Sequence, residues 1–226
     1  MSCLAVVPAA GAGRRMGADI PKQYLQIHGK AVIDWTLETL LSHEDIETVT
    51  VALSSQDEYW PDTQSAADHR IQTVAGGRER CHSVLNALEA LSQENDENDW
   101  VLVHDAARPC VRPEDISRLV QQASAHGGGV LGVPVHDTMK RTDTQGRILE
   151  TVERDRLWHA FTPQMFPLGK LHDSLQAALA AGIAVTDEAS AMEWAGCQPL
   201  MVEGASSNIK ITRPADLLLA EFYLSL

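Results

Sequence analysis

The sequence predicts an α/β fold of Rossmann-like type: a mainly parallel sheet with helices on both faces and an inserted β-hairpin arm. Three observations predict it. Short, wholly apolar runs alternate along the chain with stretches of helical periodicity, as in βα units whose strands are buried on both faces. The first run ends in a glycine-rich loop, where such folds place ligand-binding turns. One segment late in the chain breaks the rhythm with two extended halves around a polar turn.

Residues 4–8 carry two valines and lead into Gly11-Ala12-Gly13, so they form a buried strand followed by a loop. In 31–42, Val32, Ile33, Trp35, Leu37, Leu40 and Leu41 recur at helical spacing. Residues 48–53 are β-branched and apolar, a second strand, and 71–74 make a shorter one. Val84, Leu85, Leu88 and Leu91 share one face of a helix over 80–91, and the acidic stretch 92–99 has nothing to bury and forms an exposed loop. A strand at 100–103 precedes a helix at 113–125, which opens with Pro113, Glu114 and Asp115, and a further strand at 129–135. After the interruption come a strand near 160–166, helices over 168–181 and 188–195, a strand near 200–203 and a helix after Pro214.

The interruption spans 136–154, with extended halves 138–142 and 147–152 around Asp143-Thr144-Gln145-Gly146, which reads as a hairpin. Its sides are largely polar (Lys140, Arg141, Thr142, Glu150, Thr151), so the arm projects from the body. A two-stranded arm is marginal alone and calls for a partner subunit.

Composition narrows the function. The 226 residues hold 18 Lys and Arg against 31 Asp and Glu, a net charge of -13, which argues against nucleic acid or anionic membrane as a partner. With 44% hydrophobic and 22% charged residues, the chain is an ordinary globular protein with a sizeable core. Cys3, Cys81, Cys110 and Cys197 are scattered, without a C-x-x-C pair, and read as reduced thiols. No basic region precedes the apolar start, and no run approaches the roughly 20 apolar residues of a membrane span. The expected location is the cytoplasm.

The few basic residues cluster after strands: Arg14, Arg15 and Lys22; Arg78 and Arg80; Arg108; Lys140 and Arg141; Lys210 and Arg213. In an open parallel sheet those positions converge on one edge, where ligands bind. An acidic chain with basic residues gathered there suits a small polyanion such as a nucleoside triphosphate or a sugar phosphate.

The sharpest motif is Pro8-Ala9-Ala10-Gly11-Ala12-Gly13-Arg14-Arg15-Met16-Gly17, followed by Pro21-Lys22-Gln23. Its glycines bring backbone N–H groups against phosphate oxygens, and the arginines and lysine supply charge. It is not a P-loop, and against the dinucleotide fingerprint its third glycine, Gly17, comes one residue late. In Val103-His104-Asp105-Ala106-Ala107-Arg108-Pro109 a carboxylate ends an apolar strand, which suits Mg²⁺ carried in by phosphates; a loop-capping role for Asp105 is the bland alternative. The histidines lie too far apart for a local zinc spacing. Arg154 and Thr162 form a natural pair for a phosphate, whereas Thr186-Asp187-Glu188 suits either a ligand contact or a helix cap. Lys210, beside the last strand, needs an anionic partner.

Taken together, these segments resemble the 2-C-methyl-D-erythritol 4-phosphate cytidylyltransferases of the non-mevalonate isoprenoid pathway. The matching strings run in order over nearly the whole chain: Pro8 to Met16, Pro21-Lys22-Gln23-Tyr24, Val103 to Pro109, Asp137-Thr138-Met139-Lys140, Leu157-Trp158-His159-Ala160, Thr162-Pro163-Gln164, Thr186-Asp187-Glu188-Ala189-Ser190 and Asn208-Ile209-Lys210. The resemblance implies one nucleotidyltransferase domain over 1–226, with a dimerisation arm at about 136–154. It implies transfer of CMP from CTP to methylerythritol phosphate, with Mg²⁺ on Asp105 and release of pyrophosphate. Arg15 and Lys22 would be catalytic. Ala9, Ala10, Gly11, Ala12, Gly13, Arg14, Gly76, Gly77, Ser83, Asp105 and Ala106 would bind CTP, and Arg108, Thr138, Arg154, Thr162, Thr186 and Lys210 the second substrate. Arg154 would act in the partner's site of a homodimer. Alternatives are a cytidylyltransferase for another polyol phosphate such as ribitol phosphate, and a nucleotide-binding regulatory module. A dinucleotide-dependent dehydrogenase ranks last on its glycine spacing.

Overall fold

The apolar run Cys3–Pro8 forms β1, an interior strand of a seven-stranded sheet. The computed structural model describes residues 2–11 and 20–226. After β1 come a two-residue pair, β2 (Gln26–Ile27) and β3 (Lys30–Ala31), then α1 (Val32–Leu41), β4 (Ile46–Leu53), β5 (Ile71–Ala75) and α2 (Arg80–Leu91). The chain continues with β6 (Trp100–Val103), α3 (Pro113–His126), β7 (Gly129–Pro134), and the hairpin strands β8 (Met139–Thr142) and β9 (Ile148–Val152). It ends with β10 (Trp158–Pro167), α4 (Leu168–Ala180), α5 (Glu188–Trp194), β11 (Leu200–Glu203) and α6 (Pro214–Leu224).

The sheet order is β11-β7-β10-β6-β1-β4-β5. All neighbours are parallel except β10, which runs antiparallel to both β6 and β7. The mainly parallel sheet is as expected; the reversal of β10 follows from its place after a hairpin instead of after a crossover helix. Its pairing with β7 skips between Ala160 and Gln164, around the cis Thr162–Pro163 bond.

Alternation along β1 explains why helices cover both faces. Ala5 and Val7 face Ile33, Leu37 and Leu40 of α1 and Ile116, Leu119 and Ala123 of α3. Leu4 and Val6 face Val84 and Leu88 of α2, Leu171 and Leu175 of α4, and Met192 of α5. Each such aliphatic side chain taken from water contributes on the order of 1.5–3 kcal/mol. A third cluster, with Ile27, Val32, Cys110, Ile211 and Ala220, seats α6 against β2, the start of α1 and the loop after β6.

Strands β1, β4 and β5 step to one side, and β6 returns to the other side of β1. That reversal opens a crevice outside the carboxyl ends of β1 and β6. Among the described residues, strands β8 and β9 pair only with each other, apart from the main sheet. Lys140 donates to Thr151 at 2.6 Å and Arg141 to Glu150 at 2.6 Å across the arm, so these two cations, expected at the binding edge, are not among the residues lining its cavity. The chain leaves the sheet after β7, carrying them into the hairpin. Among the described residues, no helix is long and apolar enough to cross a membrane.

Candidate active site

A cavity of about 380 Å³ lies where the crevice is expected. Ala9, Ala10 and Gly11 reach it from the end of β1, Gly77 and Ser83 from the turn after β5 and the start of α2, Asp105 and Ala106 from the end of β6, and Lys22 and Lys210 from flanking loops. Ala12, Gly13, Arg14 and Arg15 lie outside the described residues.

The glycine turn is held by close backbone approach. A Cβ on Gly76 would stand 2.4 Å from the Ala10 Cβ, and one on Gly77 only 2.3 Å from the His82 Cβ, so neither position admits a side chain without displacement. The Gly77 N–H donates to the Ser83 hydroxyl at 3.0 Å. The Gln23 amide donates to the carbonyls of Ala9 (2.7 Å) and Gly11 (3.3 Å), fixing the other wall. The Lys22 ammonium donates to the Ile211 carbonyl at 2.7 Å, which anchors it at the cavity.

Asp105 is the electrostatic centre. Its carboxylate accepts from Arg80 Nε at 2.9 Å and Arg108 Nε at 3.3 Å, and pairs with Lys210 Nζ at 2.8 Å. Burial alone would raise its pKa, but Arg80, Lys210 and Arg108 outweigh burial and hold it well below the usual carboxylate range. Arg80 also grips the buried Glu188 at 2.6 Å. These three cations against two carboxylates leave a net positive charge, so the cavity attracts a polyanion although the chain as a whole is acidic.

Behind Asp105 a buried network completes the support. The Asp105 N–H donates to Thr162 Oγ1 at 3.0 Å, and Thr162 Oγ1 lies 3.1 Å from His104 Nδ1. His104 Nε2 lies 3.1 Å from the Arg108 carbonyl, which only accepts. These partners assign the neutral Nε2–H tautomer, with Nδ1 accepting from the threonine hydroxyl. Burial lowers the His104 pKa to about 4, only partly offset by the Arg108 carbonyl. The Arg108 guanidinium donates to the Asn208 carbonyl at 2.6 Å and lies over the Phe161 ring, 4.8 Å from its centroid.

The residues expected to touch the second substrate therefore divide. Lys210 lines the cavity, whereas Arg108 and Thr162 are buried supports of Asp105. Thr138 and Arg154 are exposed on the arm segment, where the Arg154 guanidinium donates to the His136 carbonyl. Thr186 is exposed beside α5, whose N-terminus Asp187 caps by accepting from the Ser190 N–H at 2.9 Å. None of these three lines the cavity in the single chain.

The sequence places Arg80 only among the basic residues gathered at the binding edge and assigns no role to Glu188, Gln23 or Thr212. Arg80, Gln23 and Thr212 line the cavity. Thr212 had a local signal, since Lys210 and Thr212 are two apart in an extended stretch and so share one side. Glu188 had none, because it lies 108 positions from the arginine it holds.

A model of the 2-C-methyl-D-erythritol 4-phosphate cytidylyltransferase family matches residues 3–226. The chain belongs to that family. It is 58% identical over 225 residues to the cytidylyltransferase of Vibrio vulnificus (strain YJ016), covering 99% of this chain and 95% of the relative. The crystal structure of the Francisella tularensis cytidylyltransferase superposes with a TM-score of 0.85 at 36% identity, covering 99% of this chain and 100% of that one. That from Thermus thermophilus gives 0.83 at 30% identity, with both chains covered in full (100%). The chain is thus a cytidylyltransferase of the non-mevalonate isoprenoid pathway, as its motifs imply.

Proposed function

We propose that this cytidylyltransferase, a single domain over 1–226, carries out CMP transfer in the cavity at the ends of β1, β5 and β6, with CTP bound against the two glycine loops. A phosphate oxygen of methylerythritol phosphate attacks the α-phosphorus of CTP, the new P–O bond forms, and the α–β phosphoanhydride bond breaks to release pyrophosphate. The observation that carries this reading is that Arg80 and Lys210 pair with one buried carboxylate, Asp105, in a cavity that Lys22 and both glycine turns also line.

The turn at Gly76-Gly77 and Ser83 receives the cytosine, and Ala9 to Gly11 approach the phosphates through backbone N–H groups. Lys22, held by the Ile211 carbonyl, points charge at the reacting phosphorus, the role the sequence resemblance also assigns to Arg15. Asp105 fits Mg²⁺: it is a hard oxygen donor at the cavity, and one or two protein carboxylates suffice for that ion. When bound there, Mg²⁺ supplies charge neutralisation for the triphosphate. Lys210 and Arg80, which line the same cavity, would offer their charge to the phosphate oxygens.

Arg154 and Thr138 complete the site from a partner's arm in a homodimer. Support comes from Ile148 and Leu149, each 64% exposed on an arm whose strands, among the described residues, pair only with each other. The four free thiols suit a reducing cytoplasm.

Pyrophosphate release by the purified protein with Mg²⁺ and CTP tests the substrate assignment. Release with methylerythritol phosphate and not with ribitol phosphate is expected; release only with ribitol phosphate would overturn the reading of Lys210 and Arg154.

A further inference from the structure

Glu79, Cys81 and His82 stand together at the start of α2, each offering one ligand atom, and those atoms lie within 4.8 Å of one another. It is the single such group of His, Cys, Asp and Glu among the described residues. Sequence spacing of histidines alone does not reveal it, because the ligand set mixes three residue types within four positions.

The geometry is near that of a metal site. Cys81 Sγ and His82 Nδ1 are 3.7 Å apart. Two such ligands on one tetrahedral zinc stand roughly 3.6 Å apart, given Zn–S of about 2.3 Å and Zn–N of about 2.0 Å. The backbone is already fixed: Gly77 packs against the His82 Cβ, and the Ser83 N–H donates to the Glu79 carbonyl at 3.1 Å. Cys81 is 7% exposed and packs in the apolar cluster beneath α2, whereas His82 is half-buried and Glu79 exposed, so a cation enters from the Glu79 side. The competing partner of Glu79 is Arg78 at 3.6 Å, with both side chains largely in water, a pairing worth about 0–1 kcal/mol.

We infer that Glu79, Cys81 and His82 bind one zinc-class divalent ion, with water in the fourth position. On binding, the Cys81 thiol loses its proton to solvent, and the thiolate, the His82 Nδ1 and one Glu79 oxygen each form a bond to the ion. A thiolate and imidazole select zinc over Mg²⁺, which seeks oxygen and is left to Asp105. The site is distinct from the Asp105 site but shares its rim, since Glu79 also lines the cavity.

Titration of the metal-free, full-length protein with Co²⁺, a coloured stand-in for zinc, tests this. One equivalent should bind with a thiolate-to-cobalt charge-transfer band, and Zn²⁺ should displace it. Cys81→Ser should abolish the band, His82→Ala should weaken binding at least tenfold, and Cys197→Ser should change nothing. Absence of a thiolate band at one equivalent, or its persistence in Cys81→Ser, overturns the site. Should Cys81→Ser fail to fold, His82→Ala decides, and an unchanged affinity there overturns it equally.

Discussion

The Arg80 guanidinium holds the Glu188 carboxylate through two hydrogen bonds, 2.6 Å from Nη1 to Oε1 and 3.1 Å from Nη2 to Oε2, while its Nε reaches Asp105 at 2.9 Å. One cation therefore ties the start of α2 to the start of α5 beneath the carboxylate that ends β6. Burial would lower the Arg80 pKa, but Glu188 and Asp105 outweigh it and raise it above its ordinary value. The fork-on-fork geometry also fixes the direction of the guanidinium.

Arg80→Ala leaves Glu188, 2% exposed, without its charge partner. Breaking a fully buried pair costs about 3–5 kcal/mol. Because the Arg80 side chain is 27% exposed, a loss at the lower end, ~3 kcal/mol in urea unfolding, is expected. Glu188→Gln, which keeps a hydrogen-bonding group, should cost less. A loss below about 1 kcal/mol for Arg80→Ala would mean the clamp contributes little.

His104 sets an acid limit on stability. Its folded pKa of about 4 lies below the ordinary value of 6.5, so between those two pH values the unfolded chain binds the proton and the folded chain does not. Stability is therefore full above pH ~6.5 and is lost as pH falls toward 4, by about 3 kcal/mol. Asp105, whose pKa is held low, extends the loss below the ordinary carboxylate value as its pairs with Arg80, Lys210 and Arg108 are protonated away. Denaturation midpoints measured from pH 7 to 4 should fall in the wild type and fall less in His104→Gln. Equal slopes for the two proteins would remove His104 from this role.

Much of this fold was legible because the apolar pattern records burial. The boundaries of β6, β11 and α2 coincide with the runs 100–103, 200–203 and 80–91, since each run is bounded by polar or turn residues. Strand direction leaves no such mark: a strand buried on both faces is equally apolar whether parallel or antiparallel, so the reversal of β10 was invisible. Within the site, Asp105, Lys22 and Lys210 were legible as charges at strand ends. Thr162 and Arg108 were legible as residue types but not as neighbours, because a threonine and an arginine suit a substrate phosphate and a buried carboxylate support equally well.

Lys22 tests the chemical step. Its ammonium is anchored to the Ile211 carbonyl, so it is positioned before substrate arrives and needs little reorganisation during reaction. Lys22→Ala should lower kcat by roughly 10²–10³, the range for removal of one preorganised charge-stabilising donor, with a smaller change in KM for CTP. A change confined to KM would place Lys22 in ground-state binding.

The arm yields the last prediction. Arg154 is exposed and donates to the His136 carbonyl at the base of the arm, and it lines no part of the cavity in its own chain. If it serves the neighbour's site, Arg154→Ala should weaken use of methylerythritol phosphate while CTP binding is retained. The stronger test mixes Arg154→Ala and Lys22→Ala subunits, each strongly impaired alone under limiting methylerythritol phosphate. In a mixed dimer one site collects both defects and the other collects neither. Random exchange makes half of the dimers mixed, each with one intact site of two, so about a quarter of wild-type activity should return. If Arg154 served its own chain's site, every site would carry one defect and no activity would return on mixing.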